Sequence, residues 1–321
     1  MTSVTRTLVW LVIGLWLSCA APRLGHPAEP QLPQETAQPS RLDDAHENIG
    51  RGLSFVATWF DSFFSDPQFE EEAATTLLRL RGSGTLTEGE GMSYGTQVKV
   101  RLQLPHLKER FHLIISSEDS DEPVAATALG PPRTAEQRTS DTSVALQYRK
   151  QRSSRFSFSH QVGLDLDGGL NPQLRSRVRY IIPVAEQSSL KLSQAVFWER
   201  QEGFGEESRI DYDMLLSPHS LLRTTVRGLF SESSDGLEWL GMQQWLKSFS
   251  KKRALALGLY TNGETRPANH VTEYGLFARY RQALLKPWFF VELKPELYWP
   301  RDRGFHSITA ATLTFEIQFG E

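Results

Sequence analysis

The sequence predicts an all-β fold: a closed antiparallel transmembrane β-barrel of about 14 strands, within a range of about 12–16, with a short N-terminal amphipathic helix. Three observations carry that expectation. From residue 75 onward apolar and polar residues alternate with a period of two, the period of a strand with one greasy face. The connectors between these segments are by turns short and long. The 18 Phe, 8 Trp and 8 Tyr of the 321 residues are a heavy aromatic load for a chain of mean hydropathy -0.38, and many of them fall near segment ends.

Residues 1–20 read as an export signal. Arg6 gives a positive start, Leu8 to Leu17 is an apolar core about half as long as a bilayer span, and Ser18-Cys19-Ala20 offers small residues for cleavage after Ala20. A membrane anchor and lipidation of Cys19 are the alternatives. Residues 21–45, rich in Pro, Ala, Glu and Gln, read as a disordered linker on the exported side. Residues 46–67 read as the amphipathic helix. Acids at Asp43 and Asp44 precede it, Leu53, Val56, Trp59, Phe60, Phe63 and Phe64 recur at helical spacing, Asp61 and Ser62 fall on another face, and Asp66-Pro67 ends it. Such a helix can plug a pore, lie on the membrane interface or pack on a rim, and the rim is the plainest expectation.

Residues 75–321 form the expected barrel. Segments fall at 75–86, 92–104, 109–118, 141–150, 154–166, 172–183, 188–200, 206–217, 220–231, 236–248, 252–262, 269–283, 287–299 and 306–319. Two of them, 236–248 and 252–262, are ambiguous in phase. One set of connectors is short and carries Lys108, Arg152, Lys251 and Lys286. The other is mostly longer and carries Glu118, Asp119, Asp121, Glu122, Glu202, Glu232, Asp235 and Glu264. Short turns on one side and longer loops on the other are the rhythm of a membrane barrel.

The polar face decides which way the sheet curls. It holds Arg79, Arg81, Lys99, Arg101, Arg175, Arg177, Arg179, Arg223, Arg227, Arg279 and Arg281, answered by Asp211, Asp213, Glu273, Glu292, Glu296 and Glu316. Charges of both signs suit an enclosed watery lumen better than one face of a sandwich. The apolar face carries Tyr148, Phe156, Tyr180, Trp198, Tyr212, Phe230, Tyr280, Phe289, Trp299 and Phe319 near segment ends, where barrels place interfacial girdles. The lumen arginines have two readings. They line a pore and favour anions, or they pair with the carboxylates and close the barrel.

The signal, the alternation and the terminal strand Leu313-Thr314-Phe315-Glu316-Ile317-Gln318-Phe319 resemble bacterial outer-membrane β-barrel proteins. The likeness is porin-like over residues 75–321, and no motif names a subfamily. It implies a place in the outer membrane of a Gram-negative cell, with contacts to membrane lipid and lipopolysaccharide and insertion by the barrel-assembly machinery. That machinery would read Phe315, Ile317 and Phe319, although Gly320-Glu321 follow. The expected function is a narrow or gated channel for a small hydrophilic solute, with a preference for anions. A closed structural barrel is the alternative.

Other chemistry has little support. A net charge of -3 offers no basic domain for nucleic acid. The single cysteine excludes a disulfide scaffold, a thiolate zinc site and an iron–sulfur cluster. The eight histidines lack ligand spacing, and neither a metal nor a cofactor is expected. His160 and Ser176 fall opposite each other on the apolar face, with Gln194 on the next segment. That arrangement resembles the site of outer-membrane phospholipase A and leaves a calcium-dependent hydrolase as a further alternative, against the plain reading of two tolerated wall residues. The primary expectation is no enzyme.

Overall fold

A computed structural model describes residues 53, 55–64, 76–104, 111–120, 139–151, 153, 155–166, 169–200, 203–234 and 236–320. The expected export signal and linker, the start of the helix before Leu53 and its end at Pro67 lie outside these residues, as does the connector 121–138.

Fourteen antiparallel strands close into one barrel, each bonded to its neighbours in chain order and the first to the last. They are β1 (Leu77–Thr87), β2 (Gly91–Gln103), β3 (Phe111–Ser120), β4 (Thr139–Gln151), β5 (Phe156–Asp165), β6 (Asn171–Ala185), β7 (Ser188–Glu199), β8 (Gly203–Ser217), β9 (Ser220–Ser231), β10 (Glu238–Ser250), β11 (Arg253–Glu264), β12 (His270–Ala283), β13 (Phe289–Pro300) and β14 (Ile308–Gly320). Each is long enough for a tilted strand to cross a hydrocarbon layer, which takes about 9–11 residues. The barrel closes where Leu78 meets Phe319 and Leu80 meets Ile317. Two-residue turns at Glu186-Gln187, Pro218-His219 and Lys251-Lys252 define one mouth, where both ends of the barrel chain also lie. The other mouth carries connectors such as 232–237 and 301–307, the latter opening on a 3-10 turn at Arg301–Arg303.

Period-two alternation sorts the side chains. Leu80, Val98, Leu146, Val226, Leu257, Leu276, Leu293 and Leu313 are exposed on the outside, whereas Arg79, Arg101, Asp211, Arg223, Arg281 and Glu316 are buried inside. Outward aromatics form two belts. Near the short-turn mouth Phe111 packs on Tyr148, Phe156 on Tyr180 and Trp288 on Phe319, at centroid distances of 5.1, 6.5 and 5.5 Å. At the opposite mouth Trp198 packs on Phe204 and Tyr274 on Trp299, at 6.5 and 5.2 Å.

The inner face is less polar than the alternation alone suggests. The two segments of ambiguous phase, β10 and β11, turn Leu240, Met242, Leu246, Ala254 and Ala256 inward, all buried. Phe197 and Phe277 also point inward, each over the backbone of a glycine in the neighbouring strand, Gly205 and Gly258. A Cβ at either glycine would overlap the ring, so these positions admit no larger residue without moving it.

The helix, α1, spans residues 55–63, with Leu53 also helical. It does not sit on the rim. Leu53, Ala57, Phe60, Phe63 and Phe64 are buried in one cluster with Leu221 of β9, Leu246 of β10 and Ala254 and Ala256 of β11. Val56, Trp59, Leu215 and Phe290 pack around it. The physical reason is visible in β9–β11: the inward apolar patch near the short-turn mouth matches the greasy stripe of the helix. Burying each phenylalanine there contributes about 1.5–3 kcal/mol relative to water.

Candidate functional site: a charged lumen and the helix packed in it

The lumen site is built from three groups of side chains. The first holds α1. Asp61, on the polar face of the helix, is buried and accepts from Lys191 of β7 at 3.1 Å and from the Arg223 guanidinium of β9. Arg223 also forks onto Asp213 of β8, Nε to Oδ1 at 2.6 Å and Nη2 to Oδ2 at 2.9 Å. Beside it Asp211 accepts from Arg209 at 3.0 Å and from Thr225 at 2.6 Å. Burial works to raise the Asp61 carboxyl, but Arg223 and Lys191 outweigh it and hold it well below the usual carboxylate range. The helix thus enters the barrel as an anion between two cations.

The second group lies across the barrel on β12, β13, β14 and β1. Arg281 forks onto Glu316 at 2.8 and 3.0 Å and reaches Glu292 at 3.4 Å. Arg279 donates to Glu292 at 2.6 Å, Arg79 approaches Glu316 at 3.2 Å and Arg81 approaches Glu292 at 3.7 Å. This network also grips the helix. Arg279 Nη2 donates to the Phe64 carbonyl at 2.8 Å and its guanidinium lies 5.1 Å over the Phe64 ring. Arg281 stacks on Phe290 at 4.5 Å. The Phe64 carbonyl is an orphan of the helix end, so Arg279 supplies what the helix itself cannot.

The third group is closer to the long-loop mouth. Tyr260 donates to Glu273 at 2.7 Å, and Lys294 approaches Glu296 at 3.1 Å while lying 5.7 Å over the Phe277 ring. Leu240, Met242, Phe277, Tyr298 and Ile308 pack with Tyr260.

The wall from β2 to β6 has a different balance. Lys99, Arg101, His112, Arg149, Arg175, Arg177 and Arg179 face inward there, between Ser157, Ser159, Gln147 and Gln161. Among the described side chains of these strands, Asp165 near the long-loop mouth is the sole inward carboxylate. Arg175 lies 5.2 Å over the Phe197 ring. Every residue singled out in the sequence as lumen-facing, including Arg227 of β9, takes an inward register position. Toward the short-turn mouth the inward side chains pack closely: Arg101, Gln147, Arg281 and Glu316 are each at most 1% exposed.

Phe315, Ile317 and Phe319 point outward on β14, with Phe315 stacked on Phe289 at 6.4 Å. His160 and Ser176 also point outward and are direct cross-strand partners, with His160 Nδ1 2.8 Å from Ser176 Oγ. Gln194 does not complete a triad. Its register partners are Val178 and Ser208, and its carbonyl accepts from Ser208. No described group holds the His160 imidazole from its far side, as a base that activates a serine nucleophile requires.

Sequence reasoning assigned Asp61 merely to a polar helix face. Its signal was there: one acid inside an otherwise apolar stretch, with lysine and arginine at inward positions of later strands. Tyr260, Phe277, Met242 and Leu240 were missed, because an inward apolar residue breaks the alternation that identifies the face.

No family model matches the chain, and no curated protein matches it significantly. Solved structures similar to it include the outer membrane protein OprD from Pseudomonas aeruginosa, at 9% identity and TM-score 0.45, covering 77% of this chain and 94% of that one. OccK5 (OpdH) of the same organism matches at 8% identity and TM-score 0.46, covering 77% and 98%. The CymD monoaromatic hydrocarbon channel matches at 8% identity and TM-score 0.46, covering 81% and 92%.

Proposed function

We propose that this protein is an outer-membrane channel for small hydrophilic anions, held closed at its short-turn mouth by α1. The observation that carries the reading is the seating of the helix. It packs on an apolar patch and between cations that would ring an empty mouth: Lys191, Arg223, Arg279 and Arg281. A gate needs a part that can leave, and among the described residues no backbone–backbone hydrogen bond joins this helix to a strand. The apolar outer wall between two aromatic belts supports a place in a bilayer, and the short turns support the cell-interior side for the sealed mouth. The basic wall of β4 and β6 supports the choice of anions. Export by the leader in residues 1–20, insertion by the barrel-assembly machinery and contact with lipopolysaccharide belong to the same proposal.

The test is planar-bilayer recording of the purified chain and of a variant lacking residues 53–64. The full chain is expected to stay mostly shut and the shortened one to show steady steps. Its reversal potential in a salt gradient is expected to report anion preference, lost when Arg175, Arg177 and Arg179 are changed to Gln. Silence from both proteins would refute the channel. It would favour a closed structural barrel, the second reading, which draws on the near-complete burial of Arg101, Gln147, Arg281 and Glu316.

A further inference from the structure

The outward face divides into two arcs. From β11 through β14 and on to β4, the middles of the strands present mainly Leu, Val, Ile, Ala and Phe, as at Leu257, Leu276, Leu293, Leu313, Val98 and Ile115, with Gly82, Thr96 and the bonded pair Ser117–Thr142 as exceptions. From β5 to β10 each of six consecutive strands carries one hydrogen-bonding side chain near its middle: His160, Ser176, Gln194, Ser208, Thr224 and Gln243. They are matched in direct cross-strand pairs, His160 with Ser176, Gln194 with Ser208 and Thr224 with Gln243. The first two pairs are hydrogen-bonded.

These residues do not belong to the headgroup zone. On β8, Ser208 lies midway between the belt residues Phe204 and Tyr212. On β7 and β10, Gln194 and Gln243 each lie four residues inward from a belt tryptophan, Trp198 and Trp239, so the two amides sit at the same depth. Hydrocarbon offers an amide nothing to bond with, and leaving polar groups there is costly. Pairing within the wall meets only part of the demand. Gln194 Nε2, His160 Nε2 and the Gln243 amide have no hydrogen-bond partner among the described residues. Gly228 of β9 and Gly241 of β10 also face outward in this arc and lower the wall beside the amides, which lets another surface approach.

We infer that the β7–β10 wall is the contact between two copies of this chain, related by a two-fold axis along the membrane normal. Two copies in one bilayer share their orientation, so a point on one side of the contact line meets the point at equal depth on the other side of its mate. With the line between β8 and β9, β7 faces β10. Gln194 then meets Gln243 of the partner subunit, and the same contact recurs across the axis. Each amide carries both a donor and an acceptor, so one residue pair closes two bonds. The inference is independent of whether the lumen conducts, but it rests on the outer wall facing lipid.

The test uses the full chain with Cys19→Ser, to clear the native thiol, extracted in mild detergent and reconstituted in lipid. Native mass spectrometry is expected to give the mass of two chains. With Gln194→Cys and Gln243→Cys together, a bismaleimide crosslinker is expected to yield a covalent dimer in most molecules, whereas either change alone yields at least tenfold less, because each residue meets the other type. Gln194→Leu with Gln243→Leu is expected to give a monomer that still shows the heat-dependent gel shift of a folded barrel. A wild-type monomer in lipid, self-crosslinking by the single variants, or crosslinks only to a different protein would each overturn the inference. A chain that stays soluble without detergent would instead overturn the membrane reading beneath it.

Discussion

Changing Asp61 to asparagine is expected to unseat the plug without unfolding the barrel. Asp61 is 5% exposed and is the acid shared by Lys191 and Arg223. Removing one partner of a buried ion pair costs about 3–5 kcal/mol, because the other charge is left uncompensated. Arg223 keeps its fork onto Asp213, so the cost falls at the lower end, about 3 kcal/mol. At about 1.4 kcal/mol per tenfold, the ratio of seated to unseated helix drops by about 100-fold. The apolar seat on β9–β11 is untouched, as is every strand-to-strand bond. The assay is single-channel recording of the variant beside the wild type, with thermal unfolding in detergent as the control for the barrel. Open probability is expected to rise by about two orders of magnitude while the melting temperature of the strands changes little. A folded variant as quiet as the wild type would refute the idea that this carboxylate latches the helix.

Acid should act on the same latch, with a defined sign. The Asp61 carboxyl is held low in the seated state, so its contribution is fully present above the free value of about 3.9 and is lost only as pH falls further, through the depressed value. Conductance is therefore expected to stay low from pH 7 down to about pH 4 and to rise below it. A rise between pH 7 and pH 5 would point to another group. Phe60→Ala removes the most buried ring of the helix, at 1% exposure. It is expected to weaken seating by about 3 kcal/mol, read as open probability, and no change would exclude the apolar seat. Gly258→Ala pushes a methyl into the Phe277 ring and is expected to cost about 1–3 kcal/mol of barrel stability, whereas Gly82→Ala, in open space, should be nearly neutral. Equal melting temperatures for the two variants would contradict the packing described. Glu316→Gln strips Arg281 of a charged fork and leaves Arg79 facing an amide. It is expected to lower thermal stability by about 3 kcal/mol, and an unchanged melt would show that the network is dispensable.

The strand count and strand limits were legible because alternation is a local property: one face must meet an apolar medium on every strand. Ends near Ser217, Ser231 and Ala283 follow from turn residues next to them, Pro218, Ser233-Ser234 and the lysine at Lys286. The seat of α1 was not legible, because it depends on three strands exposing small or apolar side chains to the inside at one level. Alternation treats Ala254, Ala256 and Leu246 as noise in the phase of β10 and β11, and that noise is the seat. Lumen positions such as Arg281 and Glu316 could be read from the pattern, but their pairing could not, since it rests on which strands neighbour each other at which register. The outward pair of His160 and Ser176 could be anticipated from a hairpin about Gly169, whereas the bond of Gln194 to Ser208 instead of to the imidazole required the register of β7 on β8.

The latch joins parts of the chain that are made far apart in time. Asp61 and Arg223 are separated by 162 residues, and the other wall of the seat, around Arg279, comes 215 residues after Phe64. A growing chain therefore releases the greasy stripe of the helix first and its resting place much later. During that interval Phe60, Phe63 and Phe64 have no surface of their own to rest on, and every molecule must keep them from sticking elsewhere until the ninth to eleventh strands exist. Only a nearly finished wall can receive the helix, so a seated helix also certifies that assembly has run its course.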